Sequence, residues 1–268
     1  SYQQLEDRSN QGAQLFRKLG LQTGDAIAIF MENNARFLDI CWAAQRAGLY
    51  YTCISSRLTA GEVEYIVKDC GAKAFIASHS LAKVAGEVAP LIPGVKLLMV
   101  GGTIPGYAGY EDSAAAMPAE RIADETSGTD MLYSSGTTGR PKGVRLALSG
   151  LPIDAPSPLT MLASMLFGIT KDSVYLSPAP LYHAAPLRYC MAMHRLGGTV
   201  VVMDHFDPEG ALQYIEKYKA SASQWVPTMF VRMLKLPDDV RLKYDVSSMK
   251  TAIHAAAPCP VDVKLKMI

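Results

Sequence analysis

The feature that most constrains this chain is the regular exchange of short apolar runs with amphipathic stretches over its first hundred residues. Residues 26–31 (AIAIFM) contain no polar side chain, so neither face of such a strand can meet water. A strand covered on both faces is characteristic of a parallel sheet with helical crossovers. Ahead of it, Ser1 and Gln4 have the spacing of a capping box, Leu5, Gly12, Phe16 and Leu19 recur on one helical face, and Gly20 can take the left-handed turn that ends a helix. Thr23, Gly24 and Asp25 turn the chain into the strand. After it, Asn33 or Asn34 is placed to cap a helix carrying Phe37, Leu38, Cys41 and Ala44, which Gly48 closes. Residues 50–55 read as the next strand. Thr59 and Glu62 form a second capping box, opening a helix through Val63, Ile66 and Val67, and residues 73–77 and 95–100 add two strands.

Residues 101–130, rich in Gly, Pro and Ala, read as a surface linker before a strand at 131–134. A proline-rich loop at 151–158 precedes a second series of strands at 174–177, 199–203, 222–226 and 249–253, and a last helix starts after Pro260. The expected fold class is therefore α/β, with stacked, mainly parallel sheets flanked by helices. Subdomains of roughly 1–175 and 176–268 follow from the two strand series.

Charge and cysteine usage narrow the partners. Lysine and arginine number 26 against 25 acidic residues, a formal charge of +1 that provides no basic field for nucleic acid. Cys41, Cys53, Cys70, Cys190 and Cys259 stand singly without a C-x-x-C pair, the pattern of reduced packing thiols in a cytoplasmic protein. The longest largely apolar stretch, residues 159–169, falls short of the roughly 20 residues a membrane helix needs. No transmembrane segment is expected, while peripheral membrane contact and a homodimer stay open. His194, Asp204 and His205 lack metal-ligand spacing, so no protein-held transition metal is assigned.

The segment richest in chemistry is YSSGTTGRPKG, residues 133–143. Gly136 and Gly139 allow close backbone approach, so successive N–H groups can converge on phosphate oxygens, and Ser134, Ser135, Thr137 and Thr138 add hydroxyl donors. Lys142 can reach the charged end. Pro141 and Gly143 flank that lysine, which departs from the G-x-x-x-x-G-K-[ST] pattern and disfavours an ordinary P-loop nucleoside triphosphatase. A solvated Ser/Thr/Gly-rich turn is the bland alternative from composition alone.

The string resembles the signature [ST]-S-G-T-T-G-x-P-K-G of the adenylate-forming superfamily, which includes acyl-CoA synthetases, peptide-synthetase adenylation domains and luciferases. PLYHAAP (180–186), QWVPTMF (224–230) and IHAAAPCP (253–260) are similar to later family motifs, and the opening segment resembles the family's first helix and strand. The resemblance implies an incomplete N-terminal domain of the adenylate-forming fold, with ATP, Mg2+ and coenzyme A as cofactors and a carboxylic acid, fatty by the detailed wording, as substrate. It implies catalytic roles for Lys142, Thr138 and His183, and nucleotide contacts from residues 134–139 and Lys142. Ala255, Ala256 and Ala257 would lie at the purine, and Tyr182, His183, Trp225, Val226 and Pro227 at the acyl pocket. The chain departs from many relatives after the loop, where VRLALSGLPIDAP (144–156) stands in place of a His-containing helix start. The family's later motifs, which include a magnesium-holding Glu and a C-terminal lysine, are not in these 268 residues. Transfer to a carrier-protein thiol and a non-catalytic ATP- or acyl-binding role are the alternatives.

Overall fold

The computed structural model describes residues 1–134 and 140–268, which divide into two compact units, Ser1–Ala155 and Pro156–Ile268. In the first unit β1 (Ala26–Phe30), β2 (Tyr50–Ile54), β3 (Ala72–Ser78), β4 (Lys96–Val100), β5 (Ala108–Gly109) and β6 (Thr129–Asp130) form one sheet in the order β5-β4-β3-β1-β2-β6. Every pairing in it is parallel. All five residues of β1 and of β2 are buried, as the unbroken apolar run requires. Phe75 anchors one side of the core, stacked on Phe30 at 6.1 Å and edge-on to Tyr107 at 6.4 Å.

The helices of this unit are α1 (Tyr2–Lys18), α2 (Phe37–Arg46), α3 (Ala60–Asp69), α4 (Ala82–Val88) and α5 (Tyr110–Ala115). Helix α1 opens on the Ser1–Gln4 capping box and ends in a Schellman turn: Gly20 at φ +89° lets its N–H reach the Arg17 carbonyl and the Leu21 N–H reach the Phe16 carbonyl. In α3 the Glu62 carboxylate accepts from the Thr59 backbone N–H at 2.9 Å, closing the second capping box. Helix α2 differs from expectation at its start. Its N-cap is Arg36, and Asn34 instead accepts from the Arg36 N–H in a local turn just before the helix. At its end Arg46 is almost fully buried. Its guanidinium is held by Glu125 at 2.7 Å, by the Ser9 hydroxyl at 2.8 Å and by Glu6, so three chain segments meet on one cation.

Residues 101–130 are not simply a linker. Tyr107, Tyr110, Ala114 and Ile122 are buried, and β5, α5 and β6 complete the sheet. Burial of aromatic side chains outweighs the loop-like Gly, Pro and Ala content there. Beyond β6 the chain leaves the parallel sheet for a separate antiparallel pair, β7 (Leu132–Ser134) and β8 (Lys142–Val144).

The second unit holds β9 (Val174–Ser177), β10 (Thr199–Val202), β11 (Ala222–Trp225) and β12 (Thr251–His254), all parallel in the order β10-β9-β11-β12. Its helices are α6 (Pro158–Phe167), α7 (Ala184–Leu196), α8 (Pro208–Tyr218), α9 (Pro227–Leu234), α10 (Asp238–Arg241) and α11 (Val261–Met267). Strand β9 pairs with β10 and β11, so the division between units lies at Ala155/Pro156 and not near residue 175. Met229 and Met233 pack in this core beside Trp225 and Phe230. Burial pushes the Cys190 thiol up to about 12 and Cys70 in the first unit up to about 11, so both stay protonated packing groups. Among the described residues no helix is long and apolar enough to cross a membrane.

Two stability predictions follow from this packing. A Cβ on Gly128 would lie 2.8 Å from the Leu49 nitrogen, 2.9 Å from the Ala44 oxygen, and closer still to the Leu49 oxygen. All three are backbone atoms that cannot swing aside, so Gly128→Ala is expected to cost about 2 kcal/mol in urea unfolding. His194, in the last turn of α7, has its pKa lowered by desolvation to about 4. The folded state therefore binds fewer protons than the unfolded one, so stability is complete above about pH 6.5 and is lost as the pH falls toward about 4. The urea midpoint should drop between pH 7.5 and pH 5, and the drop should shrink in His194→Asn.

Candidate functional site

The residues singled out by the sequence fall in both units. In the first, β7 and β8 flank the glycine-rich string: Ser134 pairs with Lys142, Tyr133 with Gly143 and Leu132 with Val144. Ser135, Gly136, Thr137, Thr138 and Gly139 lie outside the described residues, and Ser134 enters only through its backbone pairing. Lys142 is exposed at the start of β8.

Tyr133 and Gly143 form a cross-strand pair in which the ring occupies the space a side chain at 143 would need. A Cβ on Gly143 would come 2.8 Å from Tyr133 Cζ and 2.7 Å from Met131 Cε. The Tyr133 phenol donates to the Asp69 carboxylate at the end of α3, and the Tyr65 hydroxyl, one turn earlier, donates to the Pro141 carbonyl at 3.1 Å. Burial and the neighbouring Asp69 carboxylate raise the Tyr133 pKa, so the phenol keeps its proton. Downstream, Tyr50 donates to the Leu146 carbonyl at 2.7 Å, and Arg145 lies over the Tyr50 ring at 4.3 Å while donating to the Gly24 carbonyl at 2.9 Å. The segment VRLALSG thus runs as an exposed chain fixed at two points rather than as a helix start.

In the second unit the remaining candidates come off the carboxyl ends of three neighbouring parallel strands. The segment after β9 carries Tyr182 and His183, with ring centroids 4.5 Å apart. His183 is exposed and is the N-cap residue of α7, where its carbonyl accepts from the Leu187 N–H at 3.3 Å. Strand β11 ends at Trp225, followed by Val226 at the N-cap of α9 and Pro227 at its first position. The Trp225 ring is 2% exposed and packed between Phe206 and Phe230, so the structure places it in the core behind the strand end.

Trp225 and His254 are register partners on β11 and β12, and the Ala255 N–H extends the ladder to the Trp225 carbonyl at 3.1 Å. Ala256 then turns through φ +72°, and Ala256 and Ala257 present exposed small side chains. Left-handed backbone in alanine is strained, and such strain concentrates where loops are held for a purpose.

The structure therefore gathers Tyr182, His183, Val226, Pro227, Ala255, Ala256 and Ala257 at one edge of a sheet. The sequence missed β8 and the attachments from Tyr65 and Asp69; the only signal available was the four-residue spacing of those two on a helix. Among the described residues no group of three His, Cys, Asp or Glu side chains is placed to hold a metal ion.

Relief of this left-handed strain predicts that Ala256→Gly raises the urea or thermal stability of the protein by about 1 kcal/mol. A loss of stability would overturn the assignment of strain to this turn.

Comparison with known proteins agrees with this organisation. The profile of the family described as AMP-binding enzyme matches residues 1–267. Feruloyl-CoA synthase from Amycolatopsis sp is 31% identical over 266 residues, covering 98% of this chain and 50% of that protein. The chain spans about half the length of the curated relatives it matches. Among solved structures, ATP-bound MatB from Rhodopseudomonas palustris superposes with a TM-score of 0.78 at 26% identity, covering 97% of this chain and 50% of that one. The N-terminal domain of FACL13 from Mycobacterium tuberculosis, bound to an inhibitor, gives 0.81 at 25% identity, covering 98% of this chain and 65% of that one. The sheet order, the strand-end candidates and these matches lead to one conclusion: the chain belongs to the AMP-binding enzyme family and corresponds to the N-terminal part of the adenylate-forming acyl-CoA ligases.

Proposed function

We propose that this chain forms the nucleotide- and acid-holding part of an ATP-dependent acid–thiol ligase, which converts a carboxylic acid to its acyl-adenylate and then to a coenzyme A thioester. The strongest support is the gathering of Tyr182, His183, Val226, Pro227, Ala255, Ala256 and Ala257 at the carboxyl ends of β9, β11 and β12, where open α/β sheets take their ligands. The glycine- and hydroxyl-rich string carried between β7 and β8 adds a phosphate cradle.

In this reading a carboxylate oxygen attacks the α-phosphorus of ATP, the bond to the β-phosphate oxygen breaks, and pyrophosphate departs with the electron pair. The thiolate of coenzyme A then attacks the acyl carbon and AMP leaves. Negative charge builds on the pyrophosphate in the first step. The lysine at the start of β8, the backbone N–H groups of residues 135–139 and the Thr137 and Thr138 hydroxyls neutralise it in place. Ala255, Ala256 and Ala257 leave room for a flat base against backbone, since none carries a side chain beyond Cβ. Tyr182 and His183 border the acid, and Val226 and Pro227 line its pocket with Trp225 behind them. Magnesium, when bound, screens the triphosphate; its ligands are not assembled by the described residues.

The acid is proposed to be fatty. An aromatic acid is the second reading, favoured by the similarity to a feruloyl-CoA synthase.

Acid-dependent exchange of pyrophosphate into ATP, run on the full natural chain that contains this sequence with a panel of fatty and aromatic acids, tests the proposal. Exchange driven by one acid class supports adenylation and identifies the substrate. Lys142→Ala should slow it by roughly a hundredfold. An unchanged rate removes Lys142 from the mechanism, and ATP binding without exchange for any acid points to a non-catalytic nucleotide-binding role.

A further inference from the structure

The two arms that flank the phosphate-loop string are tied to one helix on both sides of it. On the incoming side, Tyr133 lies two residues before Ser135 and donates its phenolic proton to Asp69. On the outgoing side, the Pro141 carbonyl accepts from Tyr65 at 3.1 Å, and the Arg140 guanidinium sits 5.0 Å above the Tyr65 ring. Tyr65 and Asp69 are four residues apart, so they share one face of α3. That helix is rigid at its start through the Thr59–Glu62 capping box, and its opposite face is locked into the core by Val63, Ile66 and Val67. The Tyr133–Gly143 pair fixes the register of the two arms, because a one-residue slip would drive the ring into a residue with a side chain.

We propose that Tyr65 and Asp69 are positioning residues, through which α3 holds the β7–β8 pair and so sets the placement of these two arms and of Lys142 relative to the nucleotide. This rests on the reading of the string as a triphosphate cradle. The anchor acts on both arms of the β7–β8 pair, so its loss should appear in nucleotide affinity more than in overall stability. The phenol keeps its proton at neutral pH, and the tie is therefore constant across the working range. Asp69 is exposed, so water weakens its bond and the expected effect is modest.

The test is made on the full natural chain, with pyrophosphate exchange for KM and kcat and hydrogen exchange at the amides of residues 132–134 and 142–144. Tyr133→Phe and Asp69→Ala are each expected to raise the KM for ATP by about threefold to tenfold with little change in the KM for the acid. The double variant should be no worse than either single one, because both remove the same bond. Asp69→Asn, which keeps an acceptor for the phenol, should recover most of the loss. Amide protection of the two arms should fall in Tyr133→Phe and Asp69→Ala. A lowered melting temperature with an unchanged KM for ATP and unchanged arm protection would overturn the proposal, leaving Asp69 a surface contact. If the arms lose protection but neither the natural protein nor Lys142→Ala responds to ATP, the triphosphate reading itself fails and takes this role with it. The two failures are separated by the Lys142 variant.

Discussion

The structure depends above all on the complete burial of β1 and β2. A strand with apolar side chains on both faces has no stable place at a protein surface, and its backbone groups must be paired on both sides. Parallel neighbours meet both demands at once, but each parallel pairing needs a crossover, and the crossover must carry an apolar stripe to cover the sheet. Helices α2, α3 and α4 are those crossovers, and their burial patterns follow from the strands they cover. Parallel strands also end at a common edge. In the second unit the same rule brings the segments after β9, β11 and β12 to one rim, which is why residues more than seventy positions apart in sequence, such as His183 and Ala256, belong to one strand-end group.

Most of the regular elements could be read from the sequence because their signals are local. The capping boxes at Ser1 and Thr59, the glycine stop at Gly20 and the unbroken run at 26–31 each involve residues a few positions apart. The failures share a different cause. Strand β8 contains only three residues and sits between Pro141 and a run that reads as loop, so its identity comes from pairing with β7 and not from its own composition. Strands β5 and β6, two residues each, exist only because neighbours offer backbone partners. Asn34 has the chemistry of a helix cap but spends it on a turn one step too early. The compact units divide at Ala155/Pro156, ahead of β9, because the partners of that strand, β10 and β11, lie in the second unit.

The candidate site was legible in the same uneven way. The identity of its segments came from strings long enough to be specific, and the family match covers them all. Their spatial grouping follows from the order β9-β11-β12, which no string encodes. At Trp225 the motif implied a place at the acyl pocket, and packing adds what no string encodes: the ring lies with Phe206 and Phe230, and the backbone carbonyl accepts from the Ala255 N–H. The attachment of β7 and β8 to α3 joins residues separated by 64 and 76 positions, beyond the reach of any periodicity.

Both ends of the six-stranded sheet are closed by strands of only two residues, β5 and β6. A long open edge is a template on which a second chain can add a strand, and blunted edges are a common defence against it. Here the longest strand, β3 with seven residues, is kept inside the sheet, between β1 and β4. Among the described residues, each outermost strand of this sheet therefore offers only two residues as a template for a further strand.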